Sequence, residues 1–107
     1  MTDSGGLVPV ALGGPGDVAA GDVAVALPPP EVAGHAVGCV CCRPRSPLGR
    51  QLGRLFSARA RGEVAFFRRV VVLAPSGVTP PAAAAELARQ IAADPVAAAR
   101  FRYDGAC

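Results

Sequence analysis

Residues 66–74 read FFRRVVVLA, and the unbroken β-branched run at 70–72 is typical of a strand buried on both faces of a parallel sheet. The sequence at 75–77, Pro-Ser-Gly, breaks this strand. Thr79 can then cap a helix, because the prolines at 80–81 fit a first helical turn. This stretch predicts a strand followed by a helix, which is the repeating unit of α/β proteins.

Helical patterns lie on both sides of the predicted strand. Upstream, Ser46 can cap a helix that Pro47 opens and Gly62 ends. Its apolar residues recur at i, i+4, i+7 and i+8 and form one stripe: Leu48, Leu52, Leu55 and Phe56. Downstream, we predict a helix over 81–93 and a further short helical turn from 94–95. The residues that the longer helix is expected to bury are Ala84, Leu87, Ala88 and Ile91.

The remaining strand candidates are shorter. Residues 22–27, DVAVAL, form one candidate. Residues 101–106, FRYDGA, read as the beginning of a strand that the chain does not complete. Apolar residues alternate at 8–12 as in a short strand, but GGPG at 13–16 ends it at once.

These patterns divide the chain into two parts. Residues 1–37 are rich in Gly and Pro, so we expect a poorly ordered segment with a flexible N-terminus and the candidate strand at 22–27. Residues 38–107 carry the clearer helix and strand patterns and predict an α/β unit. The whole chain therefore predicts an α/β fold with about three mostly parallel strands and two to three helices.

The charge of the chain is positive and comes from arginine alone. The net charge is +3, lysine is absent, and the basic excess lies almost wholly between Arg43 and Arg69. Such a stripe can bind phosphate groups or nucleic acid, but we expect no aromatic side chains to interleave with it for base stacking. Its members fall mainly off the apolar stripe of the first helix: Arg50, Arg54, Arg59 and Arg61. We therefore expect a solvated face and no nucleic-acid partner.

The sequence shows no signal for export or for a membrane. An acidic residue, Asp3, stands where a secretory signal would be positive. The longest apolar run is far shorter than the ~20 residues that a membrane span needs. We therefore expect a soluble, cytoplasmic protein without membrane contact. Thiols stay reduced in the cytoplasm, so clustered cysteines there indicate metal or redox chemistry more than a structural disulfide.

Three of the four cysteines lie within GCVCC, residues 38–42, as Cys39, Cys41 and Cys42. Thiolates at i, i+2 and i+3 converge only in a turn, and these lie in the loop ahead of the first predicted helix. Zinc is held by three or four thiolate or imidazole ligands, and the positive end of the helix favours the thiolate form. We predict a site for Zn²⁺, with Co²⁺ or Ni²⁺ as other candidates. The candidates for a fourth ligand are water, a partner's group, His35 and Cys107.

Two other interpretations of the cysteines stay open. Small buried residues can fill space without binding any ligand. Cys39 and Cys42 also form a C-x-x-C pair, the pattern of thiol redox proteins, although Cys41 then has no role. His35 alone is typical of a solvated loop residue, and Cys107 belongs to no pattern.

The order of these features resembles the CobW-type (CobW/HypB/UreG-like) metallochaperone GTPases, a branch of the P-loop proteins. The resemblance covers about residues 38–105 and begins with GCVCC, Arg45 and the Leu-spaced helix. It continues through the β-branched strand, the Ala-rich helix and RYDG at 102–105. It implies that this chain is a fragment of a P-loop-type, three-layer fold.

The resemblance also implies roles for particular residues. Cys39, Cys41 and Cys42 correspond to the family's metal-binding cysteines, and Arg45 to the basic residue that follows them. Further residues match the family's E-T-T-G-L-A-D-P-like stretch and its R-x-D-G segment: Gly77, Pro81, Arg102, Asp104 and Gly105. Supporting roles are therefore expected for Arg45 and Gly77.

The sequence departs from the family at the nucleotide site. Ala74 and Pro80 stand where acidic residues are expected, and the motif G-x-x-x-x-G-K-[ST] is impossible without lysine. GGPGD at 13–17 is either a degenerate remnant of that loop or Gly-rich filler. Phosphoryl transfer depends on positioning and charge neutralisation, so we expect no catalytic residues, no nucleotide site and no use of GTP or Mg²⁺.

One main hypothesis and two alternatives follow. The main hypothesis is a truncated, catalytically degenerate relative of the CobW-type domain that binds, delivers or buffers metal through its CxCC motif and is not an enzyme. Unpaired strand edges invite pairing, so a protein partner or a second copy is expected to complete the sheet. The alternatives are a decayed fragment without independent activity and a thiol redox module.

Overall fold

A four-stranded sheet and three α-helices make up the part of the chain that the structure describes. The structure is a computed structural model and describes residues 7–29 and 46–106. The strands are β1 (Val8–Gly13), β2 (Asp22–Ala26), β3 (Arg69–Leu73) and β4 (Phe101–Ala106). The helices are α1 (Pro47–Ala60), α2 (Pro80–Ala92) and α3 (Pro95–Arg100). A short 3₁₀ turn, Pro15–Asp17, follows β1.

The sheet is parallel throughout, with the strand order β2-β3-β1-β4. Strand β1 lies inside it, because Val10 pairs with Val70 of β3 on one side and Val8 pairs with Phe101 of β4 on the other. The predicted α/β class is therefore confirmed, and the arrangement is consistent with a fragment of a Rossmann-like or P-loop-like fold. The described residues form four strands instead of about three, because the short apolar stretch before GGPG is an inner strand.

One hydrophobic core holds the helices against the sheet. Alternate strand residues point to the same face, and those on one face pack against Leu48 and Leu52 of α1 and Leu87 and Ile91 of α2. The strand residues in this core are Val8, Val10, Leu12, Val25, Val70, Val72 and Phe101. On the other face, Ala11 and Val71 are paired and buried but lie outside the core.

The side chains predicted as N-caps begin the helices. The Ser46 hydroxyl accepts a hydrogen bond from the Gly49 N–H at 2.9 Å, and the Thr79 hydroxyl accepts one from the Ala82 N–H at 3.3 Å. Asp94 does the same for the first turn of α3. Within the part of the chain that the structure describes, no helix is long and apolar enough to cross a membrane.

Helix α2 buries a different side from the one that its apolar residues predict. Its buried residues are Ala83, Leu87, Gln90 and Ile91. The prediction was right for Leu87 and Ile91, but it named Ala84 and Ala88, which are only partly buried, and left out Ala83 and Gln90. Gln90 lies in the interior because it forms hydrogen bonds with two other segments, and such long-range contacts leave no trace in apolar periodicity.

The two strands of the N-terminal part belong to the same sheet as β3 and β4. The strand predicted over 22–27 is observed at Asp22–Ala26, and the Leu27 N–H extends its pairing by donating to the Leu73 carbonyl at 3.0 Å. The predicted division between residues 37 and 38 lies outside the described residues, as does the N-terminus that the sequence predicts to be flexible.

Candidate functional site

The residues predicted to hold metal fall in the parts of the chain outside the description. These residues, and the arginine expected to support them, are His35, Cys39, Cys41, Cys42, Arg45 and Cys107. Within residues 7–29 and 46–106, no group of three or more His, Cys, Asp or Glu side chains is arranged to hold a metal ion. We call residues 30–45, which contain Cys39, Cys41 and Cys42, the cysteine segment, and described residues lie on both sides of it.

The described residues on both sides of the cysteine segment are hydrogen-bonded to one buried residue, Gln90 of α2. Its amide nitrogen donates to the Pro28 carbonyl at 3.0 Å, and its amide oxygen accepts from the Leu48 N–H at 2.8 Å. Its main-chain carbonyl accepts from the Ser46 hydroxyl at 2.7 Å. We call Gln90 and its partners Pro28, Ser46 and Leu48 the Gln90 clamp. The clamp brings the end of β2 and the beginning of α1 together at the base of the cysteine segment.

The amide of Gln90 is also fixed from within its own helix. Its nitrogen donates a second hydrogen bond, to the Glu86 carboxylate at 2.7 Å. Arg89 holds this carboxylate with two hydrogen bonds, of 3.0 and 2.7 Å. Hydrogen bonding by Arg89, aided by that of Gln90, holds the pKa of Glu86 below its ordinary value. The charged carboxylate is therefore a steady acceptor for the Gln90 amide, whose donors and acceptor are all used.

A second buried polar residue, Asp94, connects the beginning of α1 to that of α3. One carboxylate oxygen accepts from the Ser46 N–H at 3.1 Å, and the other accepts from the Val96 and Ala97 N–H groups at 3.0 Å each. Asp94 is fully buried, and a carboxylate in such a place must be hydrogen-bonded to be tolerated. Asp94 therefore fixes the position of Ser46, the first described residue after the cysteine segment.

Gly49 allows α1 to approach this carboxylate. A Cβ atom at residue 49 would overlap the side chain of Asp94, so any residue other than glycine would force the two helices apart. Glycine at residue 49 therefore lets α1 lie close to the buried carboxylate, because glycine lacks the Cβ atom that would overlap it.

The beginning of α1 does not offer free N–H groups to a thiolate. The N–H groups of Ser46, Leu48 and Gly49 donate to Asp94, Gln90 and Ser46 in turn. The sequence predicted that the positive end of this helix would favour the thiolate form of the cysteines. These three donors are already used inside the protein, and the negative charge of Asp94 lies beside them.

The glycine-rich turn after β1 occupies the place where a phosphate-binding loop follows its strand. Here the Gly14 N–H donates to the Asp17 carboxylate at 2.7 Å. A phosphate-binding loop directs its backbone N–H groups at the phosphates. This turn instead satisfies one such group with its own carboxylate, whose negative charge would repel phosphate.

The other residues that the resemblance singles out lie in three separate places, and one of them, Pro81, is in the first turn of α2. Gly77 lies in the turn after β3 and has a φ of +83°, a conformation that favours glycine. Arg102 and Asp104 form an ion pair of 2.6 Å on β4, and Gly105 has a φ of +85°. Gly77 therefore has a structural reason to be glycine that needs no metal nearby.

Comparison of the chain with protein-family models, with curated proteins and with solved structures finds no match.

Sequence reasoning found Ser46 as a helix cap and a helical turn that starts at 94–95, but it missed what connects Ser46 and Asp94. Their contact, and that of Gln90 with Leu48, join residues 48 and 42 positions apart in the chain. The one local signal was a glutamine on the inner side of an Ala-rich helix, where an apolar residue would be expected.

Proposed function

We propose that this chain binds a thiophilic divalent metal ion, Zn²⁺ first, through Cys39, Cys41 and Cys42. In this proposal it is a catalytically degenerate relative of the CobW-type domain. The observation that carries the proposal is the Gln90 clamp, which holds both ends of the cysteine segment at one buried side chain. Bringing the ends of a long loop together costs conformational entropy. A scaffold that has already joined them makes three ligands within the loop easier to gather around one ion.

The chemistry of the ligands supports zinc, with cobalt or nickel as alternatives. Thiolates are soft donors that these metals accept, and zinc completes a tetrahedron with a fourth ligand such as His35, Cys107 or water. Because the described N–H groups of α1 are already used, the metal itself must favour the thiolate form. Metal binding then releases protons, so affinity rises with pH until the thiols are ionised.

A working GTPase is not part of the proposal. The turn after β1 uses its Gly14 N–H internally and places Asp17 beside it, and the chain has no lysine to reach a phosphate. The proposed activity is metal binding, delivery or buffering in the cytoplasm, where the thiols stay reduced. Strands β2 and β4 are the outer strands of the sheet. We include in the proposal a partner or a second copy that pairs with one of them.

A cobalt titration of the reduced protein tests the ligand set. The proposal predicts an intense thiolate-to-cobalt absorbance band that saturates at one metal per chain. Replacing Cys39, Cys41 and Cys42 with Ser should abolish it, and Zn²⁺ should displace the cobalt. The variants C107S and H35A identify the fourth ligand. Absence of the band under reducing conditions would refute metal binding and favour a decayed fragment. A reversible Cys39–Cys42 disulfide without any metal band would favour the redox alternative.

The clamp itself has a separate test. The variant Q90M keeps the volume of the side chain but removes both amide hydrogen bonds to Pro28 and Leu48. We expect the cobalt band to keep its shape while metal affinity falls about tenfold, since the ligands remain but their loop must be closed on binding. The control is Q51M, which makes the same change on α1 at a glutamine outside the clamp. Equal affinity of Q90M, Q51M and wild type would show that the clamp does not serve the site.

A further inference from the structure

Helices α1 and α3 enclose a strongly basic groove of about 700 Å³. Arg50, Arg54 and Arg61 line it from α1 and from the residue that follows α1, and Arg100 lines it from α3. We call these four residues the arginine groove. Small residues of α1, among them Gly53 and Ser57, lie between the arginines and leave room for a ligand.

The positive charge of the groove is only partly neutralised by the residues that line it. Among them, Glu63 is the one carboxylate, and Arg61 holds it with two hydrogen bonds of 2.8 and 2.9 Å. Arg54 and Arg100 line the same groove from two different helices, so an anion between them would lie close to two positive charges. This makes the groove a place for a negatively charged ligand.

The length of the arginine groove indicates a chain of charges. At 1.5 Å per residue, the distance along α1 from Arg50 to Arg61 is about 16 Å. Adjacent phosphates of one strand are ~3.4 Å apart along the axis of duplex DNA, and they lie farther apart in an extended single strand. The groove is therefore long enough to face more than one phosphate.

Aromatic rings continue the surface away from the groove. The Arg100 guanidinium lies 4.7 Å from the centre of the Phe56 ring, and Arg59 lies 5.1 Å from the same centre. Arg59 also covers Phe66 at 4.4 Å and Phe67 at 4.9 Å, and it donates to the Phe67 carbonyl at 2.7 Å. Phe66 is 68% exposed. The expectation that no aromatic side chain accompanies the basic stripe was wrong, because the chain after α1 folds back over Arg59.

From this juxtaposition we propose that the arginine groove and Phe66 bind single-stranded nucleic acid. The arginines contact successive phosphates, and the exposed ring of Phe66 stacks against a base. Proteins that bind single strands without sequence preference combine these two elements. An acidic peptide would satisfy the arginines but would make no use of an exposed aromatic ring. A duplex would keep its bases stacked out of reach of Phe66.

Fluorescence anisotropy with a labelled 15-nucleotide strand tests this assignment on the full chain. RNA and DNA strands are titrated separately at several salt concentrations, and the tighter of the two identifies the strand preferred. If Arg54 and Arg100 each neutralise one phosphate, the logarithm of the association constant should fall with the logarithm of salt concentration with a slope of about −1.4. The same sequence as a duplex should bind more weakly.

Single substitutions measure the contributions of the groove arginines and of the Phe66 ring separately. R54A should weaken binding several-fold and make the slope shallower by about 0.7, and F66A should weaken binding about tenfold at every salt concentration. The control R89A removes one positive charge on α2, outside the groove, and should leave the slope unchanged. Circular dichroism verifies that each variant is folded.

Two outcomes would overturn the proposal. The first is an equal loss of affinity in R54A and R89A, which would reduce the binding to net charge. The second is normal strand binding by F66A together with equally effective competition by polyglutamate, which would assign the groove to an acidic protein partner.

Discussion

The first turn of α1 and the remainder of the same helix differ in whether their polar groups have hydrogen-bond partners inside the protein or face an open groove. From Ser46 to Gly49 the backbone is buried, and its N–H groups have named acceptors in Asp94, Gln90 and Ser46. From Arg50 onward the helix presents arginines to an open groove in which Glu63 is the one carboxylate among the lining residues.

The difference follows from the cost of burial. A polar group that has lost water must find a partner inside the protein, since an unmatched one costs about 1–3 kcal/mol. A charged group in water can remain available for a ligand at little cost. The first turn is thus fixed in the interior, and the remainder of α1 is the surface that we propose for ligand binding. Substitutions in the two regions should differ accordingly.

The most damaging single change should be G49A. The added Cβ overlaps Asp94, so α1 and α3 must separate or the carboxylate must give up its hydrogen bonds. We expect a loss of about 3–4 kcal/mol in the free energy of unfolding, measured by urea denaturation. In a D94G background the obstacle is absent, and the same change should cost much less. Equal costs in both backgrounds would show that the contact is not the reason for the glycine.

Removing the buried carboxylate should have the next largest effect. D94A leaves the N–H groups of Ser46, Val96 and Ala97 without their acceptor in the interior. We expect a loss of about 2–3 kcal/mol by the same measurement. D17A is the matched control, because Asp17 accepts a backbone hydrogen bond at an exposed place. A loss no greater than that of D17A would contradict the proposed importance of burial.

A partly buried ion pair extends the comparison of buried and exposed polar groups, because its contribution to stability depends on pH. Asp22 of β2 pairs with Arg69 of β3 at 2.6 Å, and the Asp22 side chain is only 9% exposed. The hydrogen bond from Arg69 and that from the Ala19 N–H hold the pKa of Asp22 below its ordinary value. The pair therefore stabilises the fold fully above about pH 4, and this contribution is lost as pH falls through the lowered, folded-state pKa.

Thermal unfolding at pH 7 and pH 3 measures this contribution. The wild type should lose more in Tm between the two pH values than D22N, which has no carboxylate to protonate at this place. The control E63Q changes an exposed pair, Arg61–Glu63, whose side chains are 60% and 56% exposed. Water and salt screen that pair, so E63Q should follow the wild type closely. A pH response of D22N equal to that of the wild type would remove Asp22 from the acid sensitivity of the fold.

The smallest effect on stability should come from the arginine groove. Arg54 is exposed, and R54A should change the free energy of unfolding by no more than about 0.5 kcal/mol. Urea denaturation of R54A and G49A under the same conditions compares the free energy of unfolding that each of the two regions of α1 contributes. A loss approaching that of G49A would mean that Arg54 is structural and not held for a ligand.

Local patterns predicted most of the fold, and contacts distant in sequence account for what they missed. The β-branched run gave β3, and the capping residues and the leucine spacing gave α1. Strand β1 was undervalued because a short stretch before GGPG has no local sign that it will pair on both sides. The Gln90 clamp and the contact of Arg59 with Phe66 depend on which segments the fold brings together. The spacing of polar and aromatic residues along the chain does not predict such contacts.

The central claim is that metal binds to the folded chain through the cysteine segment, and zinc-dependent stability tests it most directly. An unfolded chain with four cysteines can also bind cobalt, whereas a ligand raises Tm only if it prefers the folded state. We predict that Zn²⁺ raises the Tm of the reduced, metal-free wild type progressively with its concentration. The stabilisation should reach about 2.7 kcal/mol at one hundred times the dissociation constant. The variant with Cys39, Cys41 and Cys42 replaced by Ser should show no rise. No rise in the wild type, or an equal rise in both proteins, would contradict the account.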